Sequence, residues 1–208
     1  ADLYDQFVVT GDIIDYLSYG ALDTAEKILF DAHPDGLYAM GGHDVTKHME
    51  TGLSNALSLA ERQQMNQDYY KHNIFYASRL VADSVLCIQM DNGSSRYWDE
   101  QVEKLSADLA LARENGYTVL LFQHEPLATG NPDDTAVPSL CRDADSNKVT
   151  FNFYGSSHIG GNGISNPPEA SVKVYNLITH NADIIGGIFC GHRHYRYYTE
   201  IKATDPDG

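Results

Sequence analysis

The chain has 208 residues, with 14 Lys and Arg against 29 Asp and Glu and a formal net charge of −15. That length suits one large domain with a continuous core, and the charge argues against a basic groove for nucleic acid, because a polyanion is repelled at long range. Hydrophobic residues are 42% and charged residues 21%, ordinary globular usage, and no apolar run reaches the roughly eighteen residues of a membrane span.

In chain order, Phe7-Val8-Val9-Thr10 is the first apolar run, and its β-branched members predict a buried strand ending in Gly11-Asp12-Ile13-Ile14-Asp15. Nothing before it has the basic start and apolar stretch of a signal peptide. Leu22, Ala25, Ile28, Leu29 and Ala32 recur at helical spacing and predict one buried face. Leu37-Tyr38-Ala39-Met40 is a second strand, running into Gly41-Gly42-His43-Asp44. Leu53, Leu57 and Ala60 begin a helix that turns polar from Glu61 to Gln67. Residues 84–90 predict a strand closed by an Asp91-Asn92-Gly93 turn. Asp99 then starts a helix with Val102, Leu105, Leu109 and Ala112 on one side, and Gly116 is placed to end it.

Val119-Leu120-Leu121-Phe122 follows and leads into Gln123-His124-Glu125-Pro126. From 139 to 168 the chain is rich in Gly, Ser, Asn and Asp, broken by Val149 to Tyr154, which reads as an edge strand. Pro168 suits the first turn of a helix carrying Val174, Leu177 and Ile178. Residues 184–190 form the next strand, running into Gly191-His192-Arg193-His194, and His194 to Ala203 reads as one more. The abrupt start, and a hairpin that stops at the turn Asp205-Pro206-Asp207-Gly208, lead us to expect one domain over 1–208 truncated at both ends.

Strands alternating with helices predict an α/β fold with a mixed sheet. Open α/β sheets place ligands at the carboxyl ends of their strands. Asp and His recurring at four such ends suit one or two divalent metals. The three cysteines, Cys87, Cys141 and Cys190, show no zinc or redox spacing, and Cys87 and Cys190 sit in apolar runs as small core residues.

The ordered series Gly-Asp-x-x-Asp, Gly-Gly-His-Asp, His-x-Pro and Gly-His-x-His, running from Gly11 to His194, resembles the calcineurin-like metallophosphoesterases. The resemblance implies two packed mixed β-sheets flanked by helices, with two metals of the Mn, Fe or Zn class at the strand ends. It implies Asp12 as the carboxylate bridging them, His124 and His192 as ligands of one metal, and His194 as a ligand of the other. His43 corresponds to the histidine that contacts the substrate phosphate and protonates the leaving oxygen, with Asp44 available to orient its ring. The implied reaction is in-line attack of metal-bound hydroxide on a phosphomonoester or phosphodiester. A small phosphorylated substrate is the expected partner.

Two features depart from that pattern. The family's amino-terminal Asp-x-His is absent, so the fold is expected to lack an amino-terminal strand. Its Gly-Asn-His reads Gly41-Gly42-His43 here, which removes an amide ligand. Three readings stay open: a phosphoesterase, a binding or scaffold relative with a degraded metal site, and a mononuclear metallohydrolase using Asp12, His124 and His192. Asp15 reads either as a helix cap or as a support of the site. His158 reads as a surface residue or as part of a loop over the cleft, and Tyr195, Tyr197 and Tyr198 as strand residues or a substrate platform.

Overall fold

The computed structural model describes residues 4–45, 56–94, 96–127 and 169–192. Strands β1 (Val8–Thr10) and β2 (Leu37–Ala39) pair in parallel, with Thr10 opposite Ala39. Helix α1 (Tyr19–Ala25) connects them, started by Ser18, whose hydroxyl accepts the Ala21 N–H. It widens into a π-helical turn over Glu26–Phe30. That turn adds a residue and rotates the buried face. Leu22, Ala25 and Phe30 therefore point inward, while Ile28 is 64% exposed, so the single face predicted through Ile28 and Ala32 does not hold.

Helix α2 (Leu59–Gln67) starts later than its apolar spacing predicts. Ser58 sets the start through a capping box with Glu61, each side chain bonding the other's backbone N–H. Its buried residues are Gln63, Met65 and Asn66, a mostly polar set that carries no helical apolar stripe. Leu57 precedes the helix, Ala60 is exposed, and Leu53 lies outside the described residues.

Strand β3 (Tyr76–Val81) turns back through Ala82 and Asp83, both at positive φ, to pair antiparallel with β4 (Val85–Met90). Positive φ at both central residues matches the right-handed twist of a hairpin. Helix α3 (Asp99–Asn115) crosses to β5 (Thr118–Gln123), ending at Gly116 in the left-handed conformation, as its sequence predicts. Helix α4 (Glu169–His180) leads into β6 (Ile185–Cys190).

The second sheet thus has the order β3-β4-β5-β6, with β4, β5 and β6 parallel. The fold is mixed α/β with two open sheets. One core joins Leu86, Ile88, Val119 and Leu121 of this sheet to Leu105, Leu109, Val174 and Ile178 of α3 and α4. A second core gathers Leu22, Phe30, Tyr38, Met65 and Ile74 around β1, β2, α1 and α2. Strand β1 lies beside β5 and β2 beside β4, which brings the carboxyl ends of both sheets together. Among the described residues no helix is long and apolar enough to cross a membrane. The segments read as strands at 149–154 and 194–203 lie outside the described residues.

Candidate metal centre

Asp12 enters this junction two residues past β1, and the backbone there is forced. Gly11 has φ +90°, and a Cβ on it would fall 2.6 Å from His124 Nδ1, so only glycine lets β1 approach the histidine this closely. Asp12 itself has φ 52° and His192 φ 68°. Left-handed backbone at a non-glycine residue costs on the order of 1 kcal/mol and persists where surrounding contacts over-determine it. Among the described residues, the remaining positive-φ side-chain residues, Ala82 and Asp83, are the hairpin turn. Among those residues, strain outside that turn is concentrated on two of the predicted ligands.

Those two residues meet at His124. Asp12 Oδ2 lies 3.0 Å from His124 Nε2, and His192 Nδ1 lies 3.2 Å from the same nitrogen. The His124 ring is buried, and its Nδ1 is 2.8 Å from the Thr10 carbonyl oxygen. A carbonyl only accepts, so Nδ1 carries the proton and Nε2 presents its lone pair toward Asp12 and His192. A lone pair facing a carboxylate is repulsive unless a positive charge stands between them. Either a proton or a cation meets that need.

The titration behaviour follows from this contact. Burial alone would raise the Asp12 pKa, but the bond to His124 and the charges of His124 and His43 outweigh it and hold the carboxyl below its ordinary value. Burial pulls His124 down, and the Asp12 bond and charge push it further up, for a net rise. The other oxygen of Asp12, Oδ1, accepts the His43 N–H at 2.9 Å. One carboxylate is thereby fixed from both sides.

His43 opens a short 3-10 turn, His43–Val45, after β2. Its ring is half exposed and its Nδ1 meets the Asp15 carbonyl at 2.9 Å and the Asp15 carboxylate at 3.0 Å. The bond to the Asp15 carbonyl, with the charges of Asp12 and Asp15 behind it, raises the His43 pKa despite partial burial. Asp44, expected to orient this ring, does something else. It is buried, accepts the Gly41 N–H at 2.7 Å and the Ile14 N–H at 3.0 Å, and so ties the loop after β2 to the loop after β1. Burial lifts its pKa to about 6 against the pull of those two N–H groups. Asp15 takes the orienting place, since each Asp44 oxygen is committed to a backbone N–H.

The ends of β4 and β5 carry a part that motif reading passed over. Asn92 is fully buried, and its Oδ1 accepts the N–H groups of His124 (3.1 Å) and Glu125 (2.9 Å) while its Nδ2 donates to the Glu125 carbonyl (2.8 Å). Asp91 accepts the Gly93 N–H, making the predicted turn, but the whole turn is interior and burial lifts Asp91 to about 7. An Asp-Asn pair directly after an apolar strand, alongside four other strand ends that carry Asp or His, was the available signal.

Gly42 stands where an amide ligand is expected, and among the described residues a Cβ on it would meet only the Gly93 carbonyl, at 3.4 Å. His194 and His158 lie outside the described residues. Among the described residues no group of three His, Cys, Asp or Glu side chains that could hold a metal ion is assembled. What is present is a chain of contacts, Asp12 to His124 to His192. Its chemistry still fits a cation: bonds of about 2.0–2.2 Å hold neighbouring donors about 3 Å apart, and a ligating imidazole usually donates its other N–H to a carbonyl. No known protein family and no curated protein matches this sequence.

Proposed function

We propose that this chain is a metal-dependent phosphoesterase of the calcineurin-like kind, hydrolysing a phosphomonoester or phosphodiester on a domain of two packed sheets. The observation that carries the reading is the His124 ring, with Nδ1 committed to the Thr10 carbonyl and Nε2 turned to Asp12 and His192. Asp12, His124 and His192 would hold one divalent ion of the Mn, Fe or Zn class, and Asp12 with His194 would contribute to a second. An ion bound there supplies Lewis-acid polarisation of a phosphoryl oxygen.

The chain's own groups supply the rest. The strained backbone at Asp12 and His192 aims both side chains at one point, so orientation is set before substrate arrives. Asp15 holds the proton of His43 on Nδ1, which leaves Nε2 to bind a phosphate oxygen or to give a proton to the leaving oxygen. A raised pKa keeps that proton available near neutral pH. The net charge of −15 is no obstacle to an anionic substrate, because bound cations invert the field locally.

Metal analysis of the purified chain, with hydrolysis of an aryl phosphate in added manganese, tests this. We expect bound metal and turnover, with both lost in His124→Ala and turnover alone falling roughly 100-fold in His43→Ala. No bound metal and no turnover at any manganese concentration would overturn it. Gly42 favours a second reading, a binding module of the same fold that no longer turns over. A folded chain that binds metal weakly or not at all and does not hydrolyse the ester would assign it.

A further inference from the structure

We infer that Asn92 is the positioning residue of this site, holding the His124 imidazole in the one tautomer and place that let its Nε2 face a cation. The last paired residues of β4 and β5 are Gln89 and Phe122, so on its β4 side the ladder stops short of His124, while on the β6 side it runs on to Gln123 and Cys190. Beyond that point a backbone loses its partners and frays unless something replaces them. The Asn92 side chain is that replacement, because one amide takes three backbone groups of His124 and Glu125.

The amide is itself held. Its Nδ2 also reaches the Tyr97 hydroxyl at 3.3 Å, and that hydroxyl donates to Gln123 Oε1 at 2.7 Å, while Gln123 Nε2 bonds the Glu125 carbonyl at 2.7 Å. A closed, fully buried network of this kind fixes position to within a rotamer, which surface bonds cannot do. It fixes the strand end so that the His124 carbonyl accepts the Gly191 N–H at 3.0 Å and the His124 Nδ1 meets Thr10. Three strands, β1, β5 and β6, are thus registered on one residue that Asn92 clamps.

The inference rests on the metal reading only for its consequence, and its test separates the two. The probes are Mn2+ titrated into the full chain by calorimetry, and imidazole 1H–15N correlations recorded without metal. At a pH where the ring is neutral, we expect the wild type to hold the His124 proton on Nδ1, against the Thr10 carbonyl. Asn92→Ala should mix the tautomers and weaken Mn2+ binding by about 10- to 100-fold, the range seen when a partner behind a metal ligand is removed. Asn92→Asp, which keeps an oxygen facing both N–H groups, should retain the Nδ1 tautomer and recover part of the affinity. If Asn92→Ala does not fold, Asn92→Asp with a pure Nδ1 tautomer supports the inference and with a mixture overturns it.

Leu109→Ala, a core truncation in α3 away from the site, controls for general loosening and should leave the tautomer and affinity unchanged. An unchanged tautomer in folded Asn92→Ala, or equal changes in Leu109→Ala, would overturn the inference. A wild type that binds no Mn2+ overturns the metal reading instead, and the tautomer result still decides the role of Asn92.

Discussion

Adjacent glycines behave oppositely at this site. A Cβ on Gly41 would lie 2.2 Å from Asp12 Oδ1 and 2.4 Å from its backbone nitrogen, well inside contact, whereas among the described residues one on Gly42 would meet only the Gly93 carbonyl, at 3.4 Å. Gly41→Ala must therefore push Asp12 out of place. We expect it to cost at least 2 kcal/mol, as overpacking a tight site does, and to abolish Mn2+ binding. Gly42→Ala should change stability by no more than about 0.5 kcal/mol, and Gly42→Asn should fold equally well and bind Mn2+ about tenfold more tightly by adding an amide oxygen. Urea midpoints and calorimetric titration of the three variants check this. A Gly42→Asn that folds without any gain in affinity would mean that position 42 does not face the ion.

At the scale of elements, β2 depends on a histidine that must stay neutral. His72 Nε2 lies 2.9 Å from the Tyr38 N–H and accepts it, while Nδ1 donates to the Asn73 carbonyl, so both nitrogens are committed in the neutral form. Burial lowers the His72 pKa, outweighing the bond to Asn73. A histidine with a depressed folded pKa contributes stability above its unfolded pKa and loses it as pH falls, because the unfolded chain then binds more protons. We expect His72 to lower the unfolding free energy as pH goes below about 6.5, the ordinary histidine value, against the opposite slope from Asp44, Asp91, His43 and His124, whose pKa values are raised, so His72→Gln should make stability rise more steeply as pH falls. Denaturation series from pH 7.5 to 5 on both proteins measure it, and equal slopes would remove His72 from the account.

Elements also differ in how plainly they could be read. The α3 helix follows its spacing from Asp99 to its glycine cap because it packs one regular stripe against one sheet. Strand β3 escaped notice, since Ser78 and Arg79 interrupt its apolar content and its stability comes from pairing with β4 rather than from burial of its own. The π turn after α1 could not be foreseen from a 3.6-residue period, because it is the packing of Phe30 against Tyr38 and Tyr70 that selects it.

Over the whole molecule, two cores meet at a polar seam that carries the candidate site, on a surface of strong negative charge. Self-repulsion of that size destabilises the compact state and is screened by salt. Raising NaCl from about 10 mM to about 150 mM in the presence of a chelator should therefore raise the melting temperature by a few degrees. A flat or falling melting temperature over that range would show that the surface ion pairs of Lys71, Arg79 and Arg113, which salt weakens, outweigh the repulsion.

The residues themselves determine which strands end in Asp and His, the alternation that makes the fold α/β, and the bounds of helix α3. Those are local properties, set by period, caps and β-branching over a few residues. Tertiary structure alone decided that Asp15 rather than Asp44 meets the His43 ring, that Asn92 grips His124, and that Asp12 and His192 are bent to face one nitrogen. Together with the bond of His124 to the Thr10 carbonyl, these contacts join residues 28 to 114 positions apart, and they exist only because the carboxyl ends of the parallel strands are brought level. No local pattern encodes such a distance, since it follows from how two cores pack.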